Sequence, residues 1–368
     1  MKLLYEANPF GISKDQKGFG VMVTLTFQPQ KERCMKYIGM DAHSSICVFC
    51  VMDEHGVEVD EATIETNGRL LVEYVRSIEG KKKLVFEESE LSQWLYELLH
   101  DEVDELIVCN PVANREYKKA KSDKLDARRL AKLLRGGFLT PVYHSGSARE
   151  RFRSLMSGYQ SLVEEATRLK NRYKSLFRKE GNNVKGKALY NDESLLEGFE
   201  RSDFKFVGER TFELLQQMEL QRLAYVKEIK RVSKGFKEVR WLKTIPGIAD
   251  IQASKIVAQV IDPHRFPNKY KYYSYCGLAR HGRSSAGKPC GSIKGHGNRA
   301  LKCVYKMAAH SALRGDNGLR RYHDRLCAKG VNEGDAYNAV CRKIAAISLS
   351  LWKHERRYDD QLIDNPLK

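Results

Sequence analysis

Apolar and polar positions change period several times along the chain, and each change marks a boundary between elements. Lys36–Asp41 (Lys-Tyr-Ile-Gly-Met-Asp) is a short apolar run closing on an acid. Ile46–Met52 is a second run, rich in Val, Cys and Phe. Asp53-Glu54-His55-Gly56 supplies a turn, with Gly where the backbone needs freedom. Val57–Glu65 alternates as a third strand. Helical spacing then takes over. Leu70, Leu71, Tyr74 and Val75 follow Asn67, a capping residue, and Gly80 ends the segment. Lys83–Glu87 is a fourth strand, again closing on an acid. Ser89 precedes a helix with Leu91, Leu95, Leu98 and Leu99 turned inward. Glu105–Asn110 is a fifth strand, stopped by Pro111. A third helix runs from Asp123 to about Leu134 and stops at Gly136-Gly137. This order predicts a mixed α/β sheet with helices packed on it over residues 35–145. Residues 1–34 carry no clear period and read as an extension.

The pattern changes again near residue 147. Leu155, Tyr159, Leu162, Ala166, Leu169, Tyr173 and Leu176 recur at alternating steps of four and three, a coiled-coil seam. Gly181-Asn182-Asn183 breaks it, and a second helical stretch covers about 208–238. The pair predicts a hairpin arm, or an arm that dimerises, over 146–240. The remaining segment, 241–368, opens on Ile245-Pro246-Gly247-Ile248, a turn of helix-hairpin-helix type whose Gly247 would let backbone amides approach a phosphate. A plain turn between helices is the alternative.

Two stretches carry candidate chemistry. In Lys121-Ser122-Asp123-Lys124-Leu125-Asp126-Ala127-Arg128, the carboxylates of Asp123 and Asp126 share one helix face. Helix capping and the helix dipole explain acids there; a divalent cation between them is the sharper reading. If the strands ending in Asp41 and Glu87 are neighbours, four acids converge and the cation gains weight. The second stretch is 273–299. Glycines 277, 282, 287, 291, 295 and 297 are interleaved with Arg280, Arg283, Lys288, Lys294 and Arg299. Such loops let backbone and cations crowd a phosphate. Ser284 and Ser285 lie in the middle, where flanking cations would favour attack on a phosphate. A flexible polar loop that only binds nucleic acid is the alternative.

Composition narrows the partner. Lys plus Arg number 64 against 47 Asp plus Glu, a formal net charge of +17. That excess points to DNA or RNA held through phosphates. No run of roughly 18 apolar residues suggests a membrane span, and no signal-peptide pattern follows the start, so a cytoplasmic protein is expected. Nine cysteines show no framework spacing. Cys47 and Cys50 form a lone C-x-x-C without a second ligand pair, so reduced, mostly buried thiols are expected rather than zinc.

Taken together, these residues resemble the one-ten family of insertion-sequence transposases, related to Piv-type DNA invertases, over about residues 35–360. Ile38-Gly39-Met40-Asp41 is similar to the family's first strand. Glu87 matches its second acid, with Glu88 one residue away. Lys121 to Arg128 is close to its Lys-Thr-Asp-x-x-Asp-Ala-Arg. Ile245-Pro246-Gly247-Ile248, Tyr275-Cys276-Gly277-Leu278 and Ser285 before Ala286-Gly287-Lys288 match its C-terminal half; Ala286 departs from the usual Gly, leaving Ser284 as the other nucleophile.

The resemblance implies a ribonuclease-H-like, Holliday-junction-resolvase-like N-terminal domain, long coiled-coil helices and a mainly α-helical C-terminal transposase domain. It implies Mg²⁺ or Mn²⁺ at Asp41, Glu87, Asp123 and Asp126 and a phosphoserine link to DNA. Implied partners are donor and target DNA, a structured guide RNA, and further copies of the chain as a dimer assembling to a tetramer. Lys121, Arg128, Gly247, Arg280, Arg283, Lys288, Lys294 and Arg299 are the expected nucleic-acid contacts. A metal-dependent junction nuclease using water, and a non-catalytic nucleic-acid-binding protein, are the alternative functions.

Overall fold

A computed structural model describes residues 34–113, 122–182, 186, 188–285, 288–294 and 297–364. It divides into two compact units, Met1–Tyr143 and His144–Lys368. The N-terminal extension up to residue 33, and Lys121, lie outside the described residues.

Unit one is built on a six-stranded sheet. Its strands are β1 (Met35–Ala42), β2 (Ile46–Met52), β3 (Glu58–Glu65), β4 (Lys81–Glu87), β5 (Glu105–Cys109) and β6 (Pro141–Val142), in the order β3-β2-β1-β4-β5-β6. β1, β4 and β5 run parallel; β2, β3 and β6 run against their neighbours. Two-residue β6 was not expected from the sequence; its pairing with β5 identifies it.

Alternate residues of each strand serve opposite faces. Ile38, Met40, Phe49 and Val51 pack with Leu71 and Val75 of α1 (Gly68–Ser77) and Leu95 and Leu99 of α2 (Ser92–Leu99). Val48, Cys50, Val85 and Cys109 pack on the other face with Ala127, Leu130, Ala131 and Leu134 of α3 (Asp123–Gly136). Helix α1 is capped by Asn67, as expected. Ser89 is not the cap of α2. That helix begins at Ser92, and the Ser89 hydroxyl accepts instead from the Leu91 amide. Ser122 caps α3, and Gly137, with φ of 71°, ends it in the left-handed conformation.

Unit two begins with α4 (Ala148–Lys179), which packs against α5 (Ser202–Ser233) of the same chain. Leu169, Tyr173 and Phe177 meet Phe212 and Leu215 along the seam. The unit's further α-helices are α6 (Lys237–Leu242), α7 (Asp250–Val260), α8 (Lys269–Tyr275), α9 (Arg299–Ala312), α10 (Gly318–Ala328), α11 (Glu333–Lys353) and α12 (Gln361–Asp364). The N-terminal part of α4, through Phe152, Met156 and Tyr159, joins α6, α7, α9 and α11 in one core. The Gly-rich basic stretch, expected as a loop, is a two-stranded antiparallel hairpin of β7 (Arg280–Ser285) and β8 (Lys288–Lys294). Backbone pairing explains why so many glycines and cations there do not leave it irregular. Among the described residues, no helix is long and apolar enough to cross a membrane.

Candidate functional site

The acids of unit one come together through strand parity and one close helix contact. Met40 is aligned with Phe86 in the parallel β1–β4 pair, which places Asp41 beside Glu87 at the strand ends. Asp41 follows Gly39 by two residues and Glu87 follows Val85 by two, so both belong to the face that α3 covers. Parity puts Glu88 on the opposite face. Gly39 lets α3 approach: a Cβ there would lie 2.1 Å from the Ala127 carbonyl oxygen and 2.5 Å from the Ala131 nitrogen. The helix that rests on Gly39 carries Asp123 and Asp126 in its first turn.

Two basic side chains sit among these acids, and neither was expected from the sequence. The Nε2 of His43 lies 3.1 Å from Asp41 Oδ2 and 3.8 Å from Asp123 Oδ1. An Arg129 terminal nitrogen donates to Glu87 Oε1 at 2.7 Å, while its Nε lies 3.7 Å from Asp126 Oδ1. The acids thus form two bridged pairs, Asp41 with Asp123 and Glu87 with Asp126. Burial raises the affinity of Asp41 for its proton; the His43 charge opposes this, and the Asp126 and Asp123 carboxylates add to it. The signals were present in the sequence: His43 follows Asp41 by two residues, and Arg129 follows Asp126 by one helical turn.

The donor set fits a divalent cation. One ligand atom each from Asp41, His43 and Asp123 lie within 4.8 Å of one another. Carboxylate oxygens suit hard ions, and the imidazole adds a borderline donor. Asp41, crowded by two like charges and partly desolvated, is the group such an ion would relieve most.

Of the expected contacts, Arg128 forms an ion pair, its Nε 2.6 Å from Glu58 Oε1. Lys124, not among them, donates to Glu61 Oε1 at 2.5 Å, and both link α3 to β3. The missing side chain of Gly247 is accounted for by packing. With φ of 86°, its Cα faces α9, and a Cβ would stand 2.1 Å from the Ala308 carbonyl oxygen. Cys47 and Cys50 point to opposite sheet faces and are free thiols, so they form no zinc pair. Burial lifts the Cys50 thiol to about 11.

Ser284 and Ser285 belong to unit two. Ser285 pairs with Lys288, and Ser284 with Pro289, at the tip of the hairpin. Arg283 and Arg280 share β7, and Lys294 ends β8. The hairpin root is held tightly. Gly297 packs on Gly277, where a Cβ would meet the Gly277 nitrogen at 2.4 Å. The Asn298 amide donates to the Tyr275 carbonyl at 2.7 Å. The Asn298 side chain caps α9 through the Leu301 amide and donates to Gln259 Oε1 at 2.6 Å. Arg299, in the first turn of α9, is exposed.

Comparison with known families agrees with this arrangement. Residues 38–180 match a transposase model of the DEDD type of IS110, and residues 239–324 match the transposase model of the IS116/IS110/IS902 family. No curated protein matches the chain. The first match spans the sheet, the acids and α4; the second spans the Gly247 turn and the serine hairpin. With both halves matched in order, the chain belongs to the IS110 family of insertion-sequence transposases, enzymes of DNA recombination.

Proposed function

We propose that this transposase cuts and rejoins DNA through a serine nucleophile, Ser285, assisted by a divalent ion at Asp41, Glu87, Asp123 and Asp126. The observation that carries the reading is the convergence of these acids from β1, β4 and α3 onto one end of the sheet. His43 is a further donor. Bound there, Mg²⁺ or Mn²⁺ would neutralise charge on a scissile phosphate.

Ser285 Oγ attacks phosphorus and gives up its proton to a base. The bond from phosphorus to the departing strand oxygen breaks, and that oxygen takes a proton. The resulting phosphoserine ester keeps the bond energy, so a strand hydroxyl can reverse the step and join a new partner. Arg280, Arg283, Lys288 and Lys294 offset the phosphate charge on the same hairpin. A structured RNA guides the choice of donor and target. The α4–α5 arm joins copies of the chain; exposed Phe206, Leu220 and Leu223 on α5 support this role. The protein acts in the cytoplasm.

A second reading has one observation in its favour. The acids assemble wholly within unit one, without the serine hairpin, as a nuclease using water would need. Denaturing electrophoresis with labelled donor DNA, Mg²⁺ and the RNA transcribed beside the gene separates the two. The recombinase gives a shifted protein–DNA band that Ser285→Ala abolishes. Free DNA ends without attached protein would establish the nuclease. An adduct that survives both Ser285→Ala and Ser284→Ala would remove the serine role.

A further inference from the structure

Helix α8 carries an arrangement that strand cleavage does not use. Tyr270 is 67% exposed, an unusual position for so large a ring. Tyr273, one turn on, meets it edge to face: the centroids are 6.1 Å apart and the planes stand at 89°. The Lys269 ammonium lies 5.5 Å from the Tyr270 centroid, and Lys271, the next residue, is exposed. Tyr273 itself packs against the core of unit two and lies close to Tyr322 of α10 and the Arg342 guanidinium of α11. The backbone below is fixed as well. Asn268 accepts from the Tyr270 amide at 3.0 Å and from the Lys271 amide at 3.1 Å.

A ring held by a partly buried neighbour and a capped backbone has lost some of its freedom before any ligand arrives, which favours stacking. An open aromatic face flanked by cations is the pairing that unpaired bases and their phosphates use. The position in the chain selects the strand. Helix α8 runs into Gly277, where Gly297 closes the root of the hairpin that carries Ser284 and Ser285. The family acts on DNA, and strand exchange exposes unpaired bases next to the cut.

We propose that Tyr270, backed by Tyr273 and flanked in sequence by Lys269 and Lys271, is a stacking platform for an unpaired base of single-stranded DNA, on the helix that leads into the serine hairpin. The proposal rests on DNA as the substrate and is independent of which nucleophile acts.

The test is fluorescence anisotropy with the full-length protein and a short labelled single strand. Tyr270→Ala weakens binding about tenfold, the size expected for one lost base stack. Tyr270→Phe, which keeps the ring, stays near wild type. A duplex of the same sequence binds both variants like wild type. A strand with abasic sites binds wild type as weakly as the intact strand binds Tyr270→Ala. The salt dependence of affinity is unchanged, because no charge is removed.

Equal losses for Ala and Phe, or for duplex and single strand, overturn the proposal. So does an abasic strand that binds wild type as well as the intact one, or a loss seen only with an RNA strand. Tyr270 is exposed, so the melting temperature should not move; if it does, the abasic comparison on wild-type protein decides. Ser285→Ala keeps the single-strand preference whatever it does to the covalent adduct, so failure of the platform and failure of the serine role are read separately.

Discussion

Gly39 of β1 lies directly beneath Ala127 of α3, so close that a Cβ at position 39 would stand 2.1 Å from the Ala127 carbonyl oxygen. The obstruction is backbone, not a side chain that can swing away. Gly39→Ala therefore pushes α3 off the sheet and costs about 1–3 kcal/mol of stability, the usual range for overpacking. Because α3 carries Asp123 and Asp126, the same change should abolish the rise in melting temperature on adding Mg²⁺. A variant that melts lower yet keeps its full Mg²⁺ response would show that the contact does not position the acids.

Asp41 is held where its charge is disfavoured. Burial raises its proton affinity, and Asp126 and Asp123 raise it further against the opposing His43. At neutral pH the folded state carries that cost, so with metal chelated Asp41→Asn should melt higher than wild type. Adding Mg²⁺ should stabilise wild type and leave Asp41→Asn unmoved. Calorimetry in EDTA and in Mg²⁺ checks both; a destabilised variant in EDTA would refute the electrostatic account.

Strand parity distinguishes two adjacent acids. Glu87 lies on the α3 face and meets Arg129 at 2.7 Å, whereas Glu88 is exposed. Glu87→Gln should weaken Mg²⁺ binding at least about tenfold, as loss of a ligand or its support typically does. Glu88→Gln should leave it unchanged. Isothermal titration of both variants settles which acid belongs to the site.

Asn298 ties the hairpin root to α7 and α9 through its bonds with Gln259 and the Leu301 amide. Asn298→Ala removes a helix cap worth about 1 kcal/mol, a fall of about 2–4 °C in melting temperature for a unit of this size. Strand transfer should drop further than that loss explains, since the serines stand on the loosened hairpin. Activity that falls only in proportion to the folded fraction would argue against the root's role.

His144, at the start of unit two, is shifted the other way. Burial, then the nearby Arg153 charge, lowers its affinity for a proton. The unfolded chain takes up that proton first, so the contribution to stability is present above the ordinary histidine value of about 6.5 and is lost as pH falls below it. Melting temperatures from pH 7.5 down to about 5 should fall more steeply for wild type than for His144→Gln. Parallel curves would exclude His144 as the source.

How much was readable from the chain depends on the range of the interaction. Five strands and three helices of unit one followed from period two, period three-to-four and their breakers, because those patterns record which side of each element meets the core. Asp41, Glu87, Asp123 and Asp126 stand out by motif; strand order sets Asp41 beside Glu87, and the close contact of α3 with Gly39 brings Asp123 and Asp126 to the same face. The seam of α4 is visible in its spacing, which allows a hairpin arm or a dimerising arm; packing shows that α5 of the same chain covers its distal half.

The rest depended on neighbours far apart in sequence. His43 and Arg129 looked like ordinary surface residues until β1, β4 and α3 came together and set each between two carboxylates. For Gly247, read from sequence as a phosphate contact, the structure adds a packing reason for the glycine: α9 lies where a Cβ would stand. For Arg128, read from sequence as a DNA contact, the structure adds an ion pair with Glu58 of β3. The basic Gly-rich stretch looked like a loop, because glycine hides strand period; only pairing across the turn makes it a hairpin. Local periodicity and composition determined the elements and the basic character, and motif spacing marked the four acids. Tertiary packing decided which charges face one another, since a side chain's partner is set by the fold and not by its neighbours along the chain.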